Sequence, residues 1–333
     1  MTVLQLSDIT VRHDGPHGPV TAVDGVSLEI PAGTTVGLVG ESGSGKSSLV
    51  RAIVGLAPVH GGRILLDGRE AGGHTVRARR RLGRRVQVVF QDPDTALNPR
   101  MTVRRTLEEA ATAFHRLDRR TRAERVARLL DLVGLDPQLA GRLPSRLSGG
   151  QRQRVAIARA LAVGPDLLIA DEITSALDVS VQASVLNTIR ELQRQLGLSI
   201  LFIGHNLPAV CYVSDVVAVM YRGRIVESAP TDALLRAPQH PYTRTLLAAV
   251  PGLPATSPPP GSTPLSVDTA NSAPLHAGCR FSALCPDGPG RHPERTVCTE
   301  RDPQQGAADR PHRAACHFPS GTVEPDEPED GLS

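Results

Sequence analysis

The sequence contains very little lysine and few aromatic residues. Of its 37 Lys and Arg residues only Lys46 is a lysine, Trp is absent, and aromatic side chains make up 2% of the 333 residues. The lack of aromatics removes the stacking surfaces used by proteins that bind single-stranded nucleic acid. A formal net charge of +3 also gives no reason to expect a nucleic-acid partner. A lysine retained where arginine is used everywhere else is expected to do something that a broad, planar guanidinium cannot do.

Long apolar runs are absent as well. No stretch approaches 18 apolar residues, and residues 1–15 lack the basic start and apolar run of a secretory signal. We therefore expect a soluble, cytoplasmic protein. If it serves a process at a membrane, other chains must cross the bilayer.

Hydrophobic periodicity predicts an α/β fold with a largely parallel sheet, because strand patterns alternate with helical patterns along the chain. Residues 1–35 alternate apolar and polar positions, which predicts short antiparallel strands. The mostly helical block at about 92–165 is expected to be an inserted subdomain. We expect one domain over 1–250, a Pro/Ser-rich linker over 251–277, a cysteine-containing extension over 278–320 and an acidic, disordered tail over 321–333.

A glycine-rich segment after the strand TVGLVG matches the pattern G-x-x-x-x-G-K-[ST] and opens a helix. Backbone N–H groups of such a loop converge on one centre, and the helix N-terminus adds partial positive charge. The lysine then reaches the β- and γ-phosphates, and Ser47 can bind Mg²⁺. The alternative is an ordinary Gly/Ser turn before a helix. The candidate nucleotide-binding residues are Gly40, Glu41, Ser42, Gly43, Ser44, Gly45, Lys46, Ser47 and Ser48.

Two carboxylates follow the apolar strand DLLIADE, at Asp171 and Glu172. Strands of this kind deliver their final side chains to the sheet edge where nucleotides bind. Asp171 suits a Mg²⁺ shell, and Glu172 is placed to polarise an attacking water. Taken alone, the pair could equally be a solvated strand end.

The pentapeptide LSGGQ, at 147–151, closely resembles the signature sequence of ABC ATPases. It stands about 20 residues before the Asp–Glu pair and opens an amphipathic helix. Its alternative interpretation is a capped helix start. The resemblance implies the P-loop (RecA-like) ABC nucleotide-binding fold, and a head-to-tail dimer in which one subunit's signature faces the other's ATP. The residues that it assigns to the partner's nucleotide are Ser148, Gly149, Gly150 and Gln151.

The same resemblance assigns further positions. Gln91 resembles the glutamine that senses Mg²⁺ and the attacking water, and His205 resembles the switch histidine that contacts the γ-phosphate. Asp178, in the stretch SALD, resembles the acid of a loop that crosses the dimer interface. His17 stands where the family has an aromatic residue stacked on adenine, and imidazole offers less stacking area.

Three positions depart from the family pattern. Ile173 replaces a usual Pro, Gly204 replaces Thr or Ser, and Asn206 replaces Asp. None of these changes removes a catalytic group. The last two could loosen how the intervening histidine is held.

The stretches FQDPDTALNPRMTV and HPYTRTLLAAVP resemble the ATP-binding subunits of oligopeptide/dipeptide importers, whose relatives carry nickel and other small solutes. That resemblance implies a second ATPase chain, identical or different, two membrane-spanning permease subunits and an extracytoplasmic substrate-binding protein. It also implies a position at the cytoplasmic face of the cell membrane. Its cofactors are expected to be ATP and Mg²⁺.

Four of the five cysteines lie in the extension, where GCRFSALCP and AACH resemble the cysteine-bearing extension of the same subunits. In some family members this region holds a 4Fe–4S cluster. Four thiols in a cytoplasmic chain suit a metal better than disulfides, but the spacing lacks the paired C-x₂-C of common zinc sites. An iron–sulfur cluster, zinc and no metal all stay open. The four cysteines are Cys279, Cys285, Cys298 and Cys316, and Cys211 is expected to be a buried small hydrophobe.

Two other functions compete with ATP-driven peptide import. A soluble ABC ATPase could act in DNA repair or translation, although such proteins usually carry two motor copies or large insertions. The cysteine extension could also be a redox- or iron-sensing module that gates the ATPase. An arginine run over residues 77–85 is interpreted as a solvated face near lipid or membrane subunits rather than a nucleic-acid site.

Overall fold

The computed structural model describes residues 2–15, 18–71, 75–92, 96–114, 116–175, 177–250, 277–303 and 310–320. Eleven strands within these residues form two sheets. One sheet has four strands and the other has seven. Helices cover one face of the larger sheet, and the four-stranded sheet packs towards its other face. The predicted linker lies outside the described residues except for residue 277, and the acidic tail lies outside them entirely.

The four-stranded sheet is built from the N-terminal segment, in the order β2-β1-β4-β5. Its two long strands pair antiparallel, and buried apolar residues alternate with exposed polar ones along much of their length. The prediction of short strands here is wrong, since each of the first two strands has 14 residues. Their pairing continues across several shifts of register. The strands are β1 (Thr2–Gly15), β2 (Gly18–Pro31), β4 (Gly61–Leu66) and β5 (Arg69–Glu70).

The seven-stranded sheet has the order β11-β10-β9-β3-β8-β7-β6. Its pairs from β9 to β6 are parallel, whereas β10 and β11 add antiparallel at one edge. The predicted parallel α/β arrangement is therefore confirmed. The strands are β3 (Thr35–Val39), β6 (Val86–Val89), β7 (Leu167–Asp171), β8 (Ser199–Gly204), β9 (Val216–Tyr221), β10 (Arg224–Pro230) and β11 (Arg313–Ala314).

Alternate residues of the central strands enter two separate hydrophobic cores. In β8, Ile200 and Phe202 pack with the helices of the segment between β6 and β7, while Leu201 and Ile203 pack with the four-stranded sheet. Because side chains of a strand point alternately to its two faces, a strand that is apolar throughout must be covered on both faces. Each side chain of this strand is buried.

Several helices begin at residues whose side chains cap them. Asp118 accepts a hydrogen bond from the Thr121 amide at 2.8 Å and so opens one helix, and Gly134 follows its end with a φ of +62°. No helix in the described ranges is long and apolar enough to cross a lipid bilayer. The helices of four or more residues are Lys46–Ile53, Val76–Arg85, Val103–Thr112, Arg119–Leu132, Gly149–Leu161, Val179–Leu196, Leu207–Val213, Thr231–Arg236, Pro241–Ala248 and Val297–Glu300, with 3₁₀ turns at Pro137–Gly141 and Pro144–Arg146.

The cysteine-containing extension packs directly against the central sheet. Its strand β11 pairs with β10, and Phe281, which is 1% exposed, belongs to the same core as the helices between β6 and β7. The sequence analysis did not include β10, β11 or the helix Pro241–Ala248. The division of the chain at about residue 250 stays a prediction.

Candidate functional site

The glycine-rich segment forms a loop between β3 and the helix Lys46–Ile53, and the phosphate loop here means residues 40–48. A Cβ at Gly45 would lie 2.2 Å from the Ala22 carbonyl oxygen, and this glycine has a φ of +108°. A Cβ at Gly40 would lie 2.2 Å from the Met220 carbonyl oxygen. No side chain fits either position, because both approach backbone atoms of neighbouring strands. The glycines therefore let the loop turn close to the sheet.

Lys46 is 4% exposed and lies inside this loop. Its Nζ donates to the carbonyl oxygens of Gly40 at 2.7 Å and Glu41 at 2.8 Å, and to the Ser44 hydroxyl at 3.3 Å. Burial lowers the pKa of the ammonium, and the carboxylates of the site oppose that shift. Three rotatable donors on one compact group fill this space, which a planar guanidinium fork would not match. This geometry explains why a lysine, and not an arginine, stands at this one position of the chain.

The two serines after the lysine lie at the start of the helix. Ser47 is exposed, and the Ser48 hydroxyl lies 2.9 Å from Nε2 of His13 on β1. The sequence analysis placed an imidazole beside the nucleotide at His17, but that residue lies outside the described residues. His13 was missed because nothing in the sequence pairs β1 with the phosphate loop.

Asp171 and Glu172 end β7 beside the phosphate loop. Asp171 is 8% exposed and its Oδ1 makes no hydrogen bond within the described part of the chain. Burial raises the pKa of this carboxyl and the adjacent Glu172 charge raises it further, whereas Lys46 and Arg51 lower it. A buried carboxylate oxygen without a donor is costly unless a cation or proton satisfies it. The observation fits a Mg²⁺ ligand at this position.

Glu172 has an unusual backbone conformation, with a φ of +49° in a residue that is not glycine. Its N–H donates to the Ile203 carbonyl at 2.9 Å, and its carbonyl accepts from the Ser175 amide at 3.1 Å. Backbone strain of this kind persists only where surrounding bonds fix it, and it concentrates at functional sites. These bonds hold the carboxylate of Glu172 at the end of the sheet.

Two predicted catalytic side chains contact this turn. Nδ1 of His205 lies 3.5 Å from Oε2 of Glu172. Nε2 of Gln91 donates to the Ser175 hydroxyl at 3.0 Å, and that hydroxyl donates to the Glu172 carbonyl at 2.9 Å. The structure therefore brings Gln91, Glu172 and His205 together at one edge of the sheet. Ser175 is the bridging residue that sequence reasoning did not single out.

The signature segment, Ser148–Gln151, opens the helix Gly149–Leu161 with a complete capping box. The Ser148 hydroxyl accepts from the Gln151 amide at 3.3 Å, and the Gln151 side-chain oxygen accepts from the Ser148 amide at 2.9 Å. The amides of Gly149 and Gly150 lie outside these two bonds, at a helix end that carries partial positive charge. Within the described ranges, no hydrogen bond joins this segment to the phosphate loop.

Asp178 is exposed at the start of the helix Val179–Leu196, and its carboxylate accepts no capping hydrogen bond. An acid at a helix N-terminus normally uses its oxygens for the first amides. Here the carboxylate instead faces outward next to Val179, which is 83% exposed. The position suits contact with another molecule.

The departures from the family pattern have local reasons. A Cβ at Gly204 would come within 3.0 Å of a Val210 methyl, so a larger residue would crowd the helix that follows. Asn206 caps that helix by accepting from the Ala209 amide at 3.2 Å, a role that Asn and Asp fill equally well. Ile173 is 1% exposed and belongs to the core.

The four cysteines of the extension line one small cavity of about 20 Å³. Burial raises the pKa of the Cys285 thiol to about 12 and of the Cys316 thiol to about 11, and neighbouring cysteines add to the shift of Cys316. Among the described side chains, no three His, Cys, Asp or Glu residues stand where they could hold a single metal ion. The fifth cysteine, Cys211, packs against the core.

Two family models match the chain. The model described as ABC transporter matches residues 23–175, and the model described as the C-terminal region of oligopeptide/dipeptide transporters matches residues 226–289. The first match contains the phosphate loop, the signature segment and the strand that ends in Asp171. The second contains the helix Pro241–Ala248 and two of the four cysteines of the cavity.

Curated relatives are similar over most of the chain. The oligopeptide transport ATP-binding protein OppF of Bacillus subtilis is 47% identical over 75% of this chain and 82% of its own length. The di/tripeptide transport ATP-binding protein DppF of Pseudomonas aeruginosa is 41% identical over 95% of this chain and 97% of its own length. The similarity to the second protein thus extends through the cysteine-containing extension.

Solved structures show the same fold. The dimeric, post-hydrolysis structure of the ATP-binding cassette MJ0796 bound to ADP and Pi has a TM-score of 0.62 at 25% identity, covering 68% of this chain and 98% of that one. CbiO1 of Clostridium perfringens, part of the ABC transporter complex cbiONQ, has a TM-score of 0.63 at 27% identity, covering 71% and 96%.

Proposed function

The chain belongs to the family of ATP-binding subunits of oligopeptide/dipeptide ABC transporters, and we propose that it powers peptide import by binding and hydrolysing ATP. The observation that carries this function is the division of the site into two parts. The phosphate loop and the turn at Glu172 form the catalytic part at one edge of the sheet. The signature segment presents a second anion site, and no hydrogen bond in the described residues joins it to the catalytic part.

We propose that two such subunits close head to tail, so that each ATP meets one phosphate loop and the other subunit's Ser148–Gln151. The dimeric ATP-binding cassette with a similar fold supports this arrangement. The exposed Asp178 would then lie against the partner subunit. A partner of the same family, identical or different, satisfies this geometry.

Within the closed site, Lys46 would contact the β- and γ-phosphates once its bonds to the loop carbonyls are exchanged for phosphate oxygens. Ser47, Gln91 and Asp171 would hold Mg²⁺, which neutralises charge on the phosphates when bound. The fit is supported by the unpartnered Oδ1 of Asp171. Because burial lowers the pKa of Lys46, exchange of neutral carbonyl partners for charged phosphate favours its ammonium form.

Glu172 would act as the general base. Its carboxylate accepts a proton from the attacking water, the water oxygen bonds to the γ-phosphorus, and the bond to the β–γ bridging oxygen breaks to release ADP. His205, 3.5 Å from this carboxylate, would contact the γ-phosphate, and Gln91 would report the state of the site through Ser175.

Co-purification tests the transport function. A tagged full-length chain extracted with mild detergent should be recovered with two membrane-spanning chains. In the cell we expect it at the cytoplasmic face of the cell membrane. In proteoliposomes, the complex should hydrolyse ATP faster when the extracytoplasmic binding protein and peptide are added. Recovery with ribosomes or DNA, and never with membrane-spanning chains, would instead support a role in translation or DNA repair.

For the extension, we propose that Cys279, Cys285, Cys298 and Cys316 hold a 4Fe–4S cluster. The support is that all four cysteines line one small cavity, and that the pKa values of their thiols are raised by burial. Thiols in such surroundings stay protonated unless cations take the proton's place. A cluster spreads its four ligands further apart than one ion does, so the lack of a single-ion site in the described residues leaves this proposal standing.

The matched test uses the fifth cysteine as control. Protein prepared without oxygen should contain iron, sulfide and a visible absorption band. Cys285→Ser should remove all three, whereas Cys211→Ser should keep them. Zinc alone, or no metal at all, would overturn the cluster and with it any redox or iron sensing by the extension.

A further inference from the structure

The extension reaches the rear of the phosphate loop along two chains of contacts. We propose that Tyr242 and Arg280 are positioning residues for this loop, and that the extension sets the affinity for ATP through them. The inference rests on the proposed binding of ATP at the phosphate loop. These two residues support the loop from the side that faces away from the nucleotide, and they do not contact the nucleotide itself.

The first chain of contacts runs through aromatic rings. Tyr242 is 0% exposed, and its hydroxyl accepts a hydrogen bond from the Glu41 amide at 3.3 Å. Its ring lies 4.6 Å from the Tyr221 ring and 5.5 Å from the Phe281 ring, measured between centroids. Glu41 is the second residue of the phosphate loop, while Phe281 belongs to the extension. One tyrosine therefore joins the two.

Burial keeps this tyrosine in one chemical state. The pKa of Tyr242 is raised far above its ordinary range, chiefly by burial and further by the nearby Glu41 charge. Its hydroxyl is therefore protonated throughout the pH range in which the protein works. A buried amide left without an acceptor costs free energy, so this hydroxyl fixes the direction of the Glu41 peptide. The same peptide unit contains the Gly40 carbonyl, which accepts from Lys46.

The second chain of contacts runs through a turn between β9 and β10. The Gly223 amide donates to the Ser44 carbonyl at 2.8 Å, and the Gly223 carbonyl accepts from the Asp24 amide at 2.9 Å. The Arg280 guanidinium binds both the Arg222 carbonyl and the Asp24 carboxylate. Arg280 thus contacts this turn at Arg222 and contacts β2 at Asp24, which itself bonds to the turn. The turn supports the middle of the phosphate loop through the bond from Gly223 to Ser44.

Both chains start next to the cysteine cavity. Arg280 and Phe281 directly follow Cys279, whose amide donates to the Cys298 carbonyl at 2.8 Å. A shift of the cysteine-bearing turn would move the guanidinium and the ring together. Because packed cores transmit such shifts rather than absorb them, the loop would feel the state of the extension.

Equilibrium binding of Mg·ATP to the full-length chain tests the first chain of contacts. Tyr242→Phe removes only the hydroxyl, and loss of one net hydrogen bond should raise the Kd for ATP about five-fold. Tyr212→Phe is the matched control, since its hydroxyl donates to Asn187 on the helix Val179–Leu196 and not to the phosphate loop. That control should bind ATP as the wild type does.

A positioning role also separates binding from chemistry. In the assembled transporter, Tyr242→Phe should raise the KM for ATP and leave kcat within about two-fold, because Glu172 and His205 are untouched. Unchanged Kd and KM in Tyr242→Phe would overturn the inference while leaving the proposed function intact. Failure of the wild-type chain to bind ATP would instead refute the proposed function.

A double-mutant cycle tests whether the extension acts through the tyrosine. Phe281→Leu should also weaken ATP binding, and the double variant with Tyr242→Phe should lose less than the product of the two single losses. Fully multiplicative losses would mean that Phe281 does not act through Tyr242. Arg280→Lys, which keeps the charge but not the fork, tests the second chain of contacts and should weaken ATP binding by itself. Unchanged ATP binding in Arg280→Lys would overturn the positioning role of Arg280.

Discussion

The phosphate loop and the signature segment are both glycine-containing helix starts, but they are held in different ways. In the phosphate loop, polar groups turn inward on Lys46, and support comes from distant elements through Tyr242 and Gly223. In the signature segment, the side chains of Ser148 and Gln151 each accept a hydrogen bond from the other residue's backbone amide, so the support is local. One anion site is therefore anchored by tertiary structure, whereas the other is a local unit that can be offered to a partner.

This difference suits the proposed head-to-tail dimer, which would close on ATP and reopen. The anchored loop can keep its shape while nucleotide enters and leaves. The signature segment leaves the Gly149 and Gly150 amides outside its capping box, so it can meet phosphate without first breaking its own cap. The comparison predicts that damage to the two sites has different consequences.

The largest effect is expected from Glu172→Gln, which tests whether the two sites meet at all. The amide cannot accept the proton, so kcat should fall about 1,000-fold while ATP binding persists. ATP should then trap a closed dimer, detectable by size-exclusion chromatography with light scattering. Adding Ser148→Asp to this variant should prevent trapping. Hydrolysis by Glu172→Gln at the wild-type rate would show that another group is the base.

A smaller loss is expected from Lys46→Arg, which keeps the charge but replaces the compact ammonium. The guanidinium does not fit among the Gly40, Glu41 and Ser44 oxygens, so ATP affinity should fall about 100-fold. Calorimetry on the full-length chain measures this change, and the melting temperature without nucleotide checks folding. Wild-type affinity in Lys46→Arg would remove the structural reason given for the lone lysine.

The signature segment should behave in the opposite way, with an effect visible only in the dimer. Ser148→Asp keeps the helix cap, since Asp caps as well as Ser does, but adds negative charge facing the partner's γ-phosphate. Hydrolysis by the assembled transporter should fall at least about ten-fold, while ATP binding by the isolated subunit stays unchanged. Ser148→Thr is the control that keeps both cap and charge. Weaker binding in the isolated Ser148→Asp subunit would mean that the segment acts on its own nucleotide.

The last prediction concerns the support behind the phosphate loop, and it affects stability rather than activity, in a way that depends on pH. Burial lowers the pKa of His240 to about 4, Glu227 opposes the shift and Arg244 adds to it. Below about pH 6.5 the imidazole of His240 binds a proton in the unfolded chain but not in the folded chain. The contribution of His240 to stability is therefore fully present above this pH and is lost as the pH falls towards 4. The loss is expected to reach at most about 3 kcal/mol.

His240→Asn isolates this contribution. Asn can cap the helix Pro241–Ala248 as His240 does, through its bond from the Tyr242 amide at 3.1 Å, but it does not titrate. The melting temperature of the variant should therefore change less between pH 6.5 and pH 4.5 than that of the wild type. Parallel slopes for the two proteins would contradict the assignment to His240.

How much the sequence could predict depended on the distance along the chain between contacting residues. The phosphate loop, the signature segment and the strand ending in Asp171 are contiguous motifs, and their structure follows from local spacing and helix starts. The contact between the Glu41 amide and Tyr242 joins residues 201 positions apart, and no local pattern indicates it. Ser175 and His13 were missed for the same reason, since their partners lie on other elements.

The sequence by itself determined the chemistry of this protein: one lysine in a glycine-rich loop, paired carboxylates after an apolar strand, and a signature before a helix. Only the tertiary structure decided how these groups are held. It placed a capping box on the surface, a strained Glu172 between Ile203 and Ser175, and a buried tyrosine behind the phosphate loop. The physical reason is that side-chain types fix which bonds can form, whereas packing of the two cores decides which distant groups are near enough to form them.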